Sequence, residues 1–491
     1  MRIQMNKLRY YSSIFLVLTL SFIMGCATNP ATGRREFVLM SESQEIEIGR
    51  QMDPKIQKEY GSYSDEILQE YLNQIGQKLA AVCDRPDLHY RFKVVNSPMI
   101  NAFALPGGYV YVTRALLAYV NSEAELAGVM GHEIGHITAR HAVRQYTKAQ
   151  TYQFGILAAS IFYPEISQLG QFADFLAMAI IQGYGRKNEL QSDRLGIKYS
   201  SSAGYDPYCV SSFMKTLKNI DATTGKKGYH GLFSSHPETE ERIVKSEEEA
   251  KNVTPPPGGH FNQLREEYLS KIDGLTFGDD PKEGVVVKNV FRHPDLMIEL
   301  AFPQGWAINN GKEILVAKHP EKEYFIQMTL SVLGKKLSAS EFARKVEESY
   351  GFSKLSGKPQ TINGLSAYLG TYAGRKRKTG EIKARIGSIL VEDKGYTVIG
   401  IAQSSSFEEA MPFFASTINS FKRISFKEAK EIKPHKIRIY TVKEGDTWKS
   451  ITHKHGLQPD KAQTLALINA FNPENLPKPG TRIKVISVGG N

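Results

Sequence analysis

The chain has 491 residues, enough for two to four domains and a sizeable core. With 41% hydrophobic and 23% charged residues it reads as globular rather than disordered or fibrous. A formal net charge of +11 is mildly basic for this length and demands no nucleic-acid partner.

The N-terminus differs from the rest. Arg2, Lys7 and Arg9 precede an apolar run from Ile14 to Met24, a basic region followed by a stretch too short to span a bilayer comfortably. Ile23-Met24-Gly25-Cys26 resembles a bacterial lipobox, with Met24 standing where a small residue is usual. The resemblance implies that residues 1–25 are a lipoprotein signal peptide and that Cys26 is lipidated; an ordinary secretory signal or an uncleaved anchor is the alternative. Ala27, not an acidic residue, follows the cysteine, which favours the outer membrane. Losing three basic residues with the leader brings the net charge from +11 to +8. Cys83 and Cys209 can pair in an oxidising compartment or remain free and buried.

Helical periodicity runs from Ser43 to about Val82, with Ile67, Tyr71, Leu72, Ile75 and Leu79 expected to face a core. Tyr90–Val95 alternates like a strand, and Ala102–Val112 reads as two short strands around Pro106-Gly107-Gly108. Ser122–Tyr146 reads as one long helix, started by a Ser122/Glu125 capping box. It carries His132-Glu133-Ile134-Gly135-His136. At about 100° per residue the two imidazoles lie about 40° apart on one face, as two ligands of one metal ion must. Glu133 stands at the edge of that face, where a carboxylate can take a proton from metal-activated water. His141 would lie about 180° from His132 on a continuous helix, so Arg140 and His141 are read as packing support.

Phe154–Ile181 is apolar but interrupted by Pro164, Glu165, Gln168, Gln171 and Asp174, which favours two amphipathic helices, a lid or membrane-facing patch, over a span. Lys187–Ala203 is a further helix on which Glu189 and Asp193, four residues apart, share a face. A metal hydrolase needs a third protein ligand and a group to orient a ligand histidine, and this pair can supply both. Pro255-Pro256-Pro257-Gly258-Gly259 marks the end of the first domain.

The combination of HEIGH, Glu189 with Asp193, and Ser235-His236-Pro237 with Arg242-Ile243 resembles the gluzincin family of HtpX- and BepA-type zinc peptidases. Asn101–Gly108 is similar to the strand that precedes the metal helix in that family, and the likeness spans about Ser43 to Ile243. Ser192 and the polar Asn188 depart from the usual pattern without removing a ligand. The resemblance implies one Zn2+ per chain on His132, His136 and Glu189, with Glu133 as catalytic base. It implies Asp193 and Arg242 as supporting residues, and His236 as an oxyanion stabiliser or a cap on the metal. Phe103, Ala104 and Leu105 would offer an edge strand to an extended substrate.

From Phe291 the composition turns to strands, at Leu296–Phe302, Tyr324–Val332, Leu365–Tyr372, Ala384–Val391 and Tyr396–Gln403, with helices at Ser338–Tyr350 and Phe407–Phe421. Arg375-Lys376-Arg377-Lys378 reads as a basic hairpin loop rather than a nucleic-acid patch. Phe302-Pro303-Gln304-Gly305-Trp306 is faintly similar to PsbP-like domains. Tyr440–Trp448, His455-Gly456, Asn469 and Pro479–Ile483 resemble a LysM module, with Trp448 where leucine is commoner. The expected architecture is α+β and multidomain. A mainly helical zincin-type peptidase domain (26–254) and a connecting segment (255–290) precede an α+β domain (291–425), a linker (426–437) and a β-α-α-β LysM module (438–487).

The expected function is zinc-dependent endoproteolysis of misfolded or misassembled envelope proteins at the periplasmic face of the outer membrane. The membrane is held by a lipid anchor, peptidoglycan by LysM, and nucleic acid is not a partner. A non-proteolytic chaperone or assembly scaffold using the same cleft is the alternative, and a peptidoglycan hydrolase rests on LysM alone.

Overall fold

The computed structural model describes residues 26–156, 183–224, 236, 240–255, 259–376 and 380–489. The expected signal peptide, most of the 154–181 segment and Arg377-Lys378 therefore lie outside the described residues. The chain divides into two compact units, one of residues 1–277 with 436–487, the other of residues 278–435 with 488–491. The first boundary thus falls at Phe277 rather than at residue 254, because Tyr268, Leu269 and Ile272 of the expected connecting segment are buried in the core of the first unit.

Within the first unit a helix at Glu66–Ala80, capped by Asp65, buries Leu68, Tyr71, Leu72, Ile75 and Leu79. Ile67 was expected among them but is 70% exposed, since it sits a residue off that face. A three-stranded sheet follows in the order Arg91–Val95, Tyr109–Thr113, Ala102–Leu105. The first pair is parallel and the second antiparallel, so Ala102–Leu105 is an edge strand. Gly107 and Gly108 make its turn with φ of 84° and 95°, and a Cβ on Gly108 would meet the His89 carbonyl at 2.6 Å.

The motif helix (Glu123–Thr138) is capped by Ser122, which accepts from the Glu125 backbone, but the Glu125 carboxylate reaches instead to the Asn121 N–H at 2.8 Å. The long helix expected to Tyr146 is broken. Arg140 has φ of 53°, and a second helix runs from His141 to Ile156. Arg140 is held in that left-handed conformation by an ion pair with buried Glu45 and by a 2.8 Å bond to the Met40 carbonyl.

The strand–helix–helix–strand segment His435–Thr441, Trp448–Lys454, Ala462–Ile468, Arg482–Val488 was expected as a separate module, yet residues 436–487 share one apolar core with the motif helix. Ile437, Ile451, Leu465, Ile468 and Val485 join Leu126, Ala127 and Met130 in it. Lys484, fully buried, donates to the Ala118 and Val120 carbonyls at 2.9 and 2.8 Å. Trp448 is also core, its Nε1 donating to the Asn475 carbonyl at 3.1 Å. Cys83 and Cys209 are buried and free.

The second unit is built on a seven-stranded antiparallel sheet whose central strands are Phe325–Val332, Lys394–Gln403 and Gly380–Val391. Helix Phe407–Ser420 covers the face bearing Ile326 and Val398, and helix Ala339–Tyr350 covers the face bearing Ile386 and Ile399. The strand Ser353–Ile362 escaped the sequence reading because its side chains are nearly all exposed and carry no alternation. Among the described residues no helix is long and apolar enough to cross a membrane.

Candidate metal centre

Two helices build the site, and glycine sets their separation. A Cβ on Gly196 would lie 2.9 Å from the His132 amide nitrogen, and one on Gly131 would lie 3.0 Å from the Gly196 carbonyl. Helix Arg186–Ser202 therefore rides directly on the motif helix, and that approach brings its carboxylates to the histidines. Nothing in the sequence singled out Gly196.

His132, His136, Glu189 and His236 each present one donor atom, and these atoms lie within 4.8 Å of one another, all four residues buried. His132 Nε2 is 3.0 Å from His136 Nε2 and 3.5 Å from Glu189. His236 Nδ1 enters from elsewhere in the chain, 3.2 Å from His132 Nε2 and 3.0 Å from Glu189 Oε2. Its Nε2 is 3.5 Å from Glu133 Oε1, a buried oxygen that accepts no hydrogen bond among the described residues. Three imidazoles and a carboxylate converging at this spacing are a donor set that fits a single d-block cation such as zinc.

Charge around the cluster is arranged in pairs. Burial disfavours the His132 cation, but Asp193 and Glu189 outweigh it and raise its pKa to about 9. Burial alone would raise Glu189, yet His236, His132 and His136 hold it well below the usual carboxylate range. Glu133 goes the other way, with burial raising it against the opposing pull of His236 and His132. Arg242 ties the outer layer together. Its Nε and Nη2 bond Asp193 at 2.8 and 2.7 Å, while its Nη1 lies 3.1 Å from Glu189 and 3.2 Å from the His236 carbonyl. Asp193 Oδ1 meets His132 Nδ1 at 2.9 Å, the position expected of a ligand-orienting carboxylate.

His141 departs from expectation. The turn at Arg140 swings it back onto the site, its Nδ1 3.0 Å from His136 Nδ1, and the angle counted along a continuous helix does not apply. Burial pushes its pKa down to about 4, so it is neutral. Tyr184 stacks on His136 with ring centroids 4.3 Å apart, a contact no sequence signal announced. Phe103 and Leu105 are buried, with Phe103 stacked on Tyr111, so only the backbone of Ala102–Leu105 remains to meet a ligand. Among the described residues no strand pairs with its outer edge.

A HExxH helix whose histidines meet a glutamate from a second helix, backed by an aspartate one turn on, defines a gluzincin-type metallopeptidase centre. Residues 66–250 match the model of peptidase family M48. The chain is similar to the beta-barrel assembly-enhancing protease of Yersinia pestis, 26% identical over 64% of this chain and 68% of that protein. It is 28% identical to the protein of the same description from Escherichia coli, over 48% of this chain and 50% of the relative, and so spans about half of that relative's length. The mitochondrial metalloendopeptidase OMA1 of Schizosaccharomyces pombe is 32% identical over 45% of this chain and 65% of its own. A solved cyanobacterial PsbP from Synechocystis aligns with 28% of this chain and 95% of its own at 14% identity, with a TM-score of 0.23 that supports no argument.

Proposed function

We propose that the chain is a zinc-dependent endopeptidase in which His132, His136 and Glu189 hold the metal and Glu133 is the general base. The observation that carries this reading is Glu133 itself, a buried carboxylate beside the four-donor cluster, its Oε1 3.5 Å from His236 Nε2. Zinc in this position would supply Lewis acidity, lowering the pKa of water and polarising a peptide carbonyl. Glu133 takes the proton of the attacking water and passes it to the leaving amine, a task suited to a carboxylate whose pKa burial raises. Asp193 and Arg242 hold His132 and Glu189 in place. The free edge of Ala102–Leu105 receives an extended polypeptide by strand addition.

His236 fills the fourth donor position, which catalytic zinc sites keep open. It is a cap that must withdraw before substrate enters. In the proposed setting Cys26 is lipidated at the periplasmic face of the outer membrane, residues 438–487 bind peptidoglycan as a LysM module, and misfolded or misassembled envelope proteins are the substrates. The bacterial relatives, named as beta-barrel assembly-enhancing proteases, support β-barrel precursors among those substrates. The capped cluster also favours a second reading, a chaperone scaffold that holds clients without cutting them.

The test uses the mature protein with metal content measured. Wild type should cleave an unfolded protein, His236→Ala should cleave it faster, and Glu133→Gln should not. Equal cleavage by Glu133→Gln removes the peptidase reading, and zinc-loaded His236→Ala that cuts no unfolded client favours the scaffold.

A further inference from the structure

We infer that His141 is a positioning residue for the metal centre: it accepts the Nδ1 proton of His136 and thereby fixes the tautomer whose Nε2 faces the cluster. The inference rests on the metal-site reading above. An imidazole that offers Nε2 to a metal carries its proton on Nδ1, and at a buried residue that proton needs an acceptor. For His136 the acceptor provided is His141 Nδ1, at 3.0 Å. His141 must then hold its own proton on Nε2, which meets Gln191 Oε1 at 3.2 Å. The relay runs from Gln191 through His141 to His136 and ends 3.0 Å from His132 Nε2.

Reversing the Gln191 amide would force the His141 proton onto Nδ1. His136 would then carry its proton on Nε2, where it could bind no metal. Ser192 Oγ, 3.3 Å from His141 Nδ1, is the rival donor and lies farther away than His136. The two ligand histidines thus differ in their backing. His132 leans on the Asp193 carboxylate, itself neutralised by Arg242, and His136 on an uncharged imidazole. A further carboxylate behind His136 would add a buried anion to a site that already holds Glu133, Glu189 and Asp193, at a desolvation cost that a neutral acceptor avoids. The left-handed residue Arg140 makes the contact possible, because five residues along an unbroken helix would place His141 about 140° from His136.

The test measures zinc affinity by competition with a chromophoric chelator and the visible spectrum of the cobalt-substituted protein, neither of which needs turnover. His141→Ala should weaken zinc binding by about 10- to 100-fold and shift the cobalt bands. His141→Gln, whose side-chain oxygen can accept the same proton, should recover most of both. Gln191→Leu, a milder change at a half-buried position, should weaken binding by about 10-fold, Gln191→Glu should not, and Ser192→Ala should leave affinity unchanged. Wild-type affinity and spectrum in both His141→Ala and Gln191→Leu overturn the proposal. If His141→Ala does not fold, the Gln191 pair decides. Zinc binding that responds as stated in a protein that cuts nothing would refute the peptidase reading and leave this one standing.

Discussion

The two units place charge in opposite ways. The unit containing the metal centre buries Glu45, Arg85, Arg114, Glu125, Glu133, Glu189, Asp193, Arg242 and Lys484 beside its histidines. Among the described residues of the other unit only Glu299 falls in the buried class, and its sheet is covered on both faces by aliphatic and aromatic side chains. Burying a charge costs several kcal/mol unless a partner meets it, so a fold collects such groups where chemistry needs them. In the first unit nearly every one has its partner: Glu45 has Arg85 and Arg140, Asp193 has Arg242, and Lys484 has two carbonyls. Glu133 is met more loosely, with His236 Nε2 3.5 Å from its Oε1, and it is the residue proposed to transfer the proton.

Substitutions can press on that contrast. The largest effect is expected at Glu133→Gln, where hydrolysis of an unfolded protein should fall by about 10²- to 10⁴-fold while the circular dichroism spectrum is kept. Arg242→Leu takes the guanidinium from buried Asp193 and Glu189, leaving them their histidine contacts, and should cost about 3–5 kcal/mol of stability in the first unit. Phe414→Ala should cost a similar 3–5 kcal/mol in the second unit, by leaving a cavity, but should not change zinc affinity. Hydrogen exchange followed peptide by peptide separates the two, and a change of zinc affinity in Phe414→Ala would break the contrast. Zinc at about 1,000 times its dissociation constant should add about 4 kcal/mol of protection in the first unit alone.

A smaller effect concerns acid. Burial by itself would raise Asp53, but the Lys93 ammonium and the Tyr111 hydroxyl hold its carboxyl below the usual range. A carboxyl with a depressed folded pKa contributes stability above its unfolded pKa of about 3.9 and loses it as pH falls through the folded value. Asp53→Asn should therefore flatten the acid limb of an unfolding profile below about pH 4, and an unchanged limb would assign that slope elsewhere.

Much of the site was legible because its signals are local. The i, i+4 histidines and the Glu189/Asp193 pair depend only on helical period, and both occupy the faces that period requires. No spacing links His236 and Arg242 to His132, and only the family resemblance points to them in the sequence. The period that aligns His132 with His136 points His141 away from them, and one left-handed residue, Arg140, resets that count. The segment 436–487 has a complete pattern of strands and helices of its own, and its sharing of a core with the motif helix appears only in the packing.

By itself the sequence determined the local grammar of this protein: helix faces, the metal-binding residue types, the strand–turn–strand before them, and the apolar pattern of the later strands. Tertiary structure alone decided which groups stand behind the ligands. The approach of two helices at Gly131 and Gly196, and the Glu45 ion pair that holds Arg140 in its turn, join residues far apart in the chain. Contacts of that kind depend on whole elements packing against one another, and no periodicity along the chain encodes them.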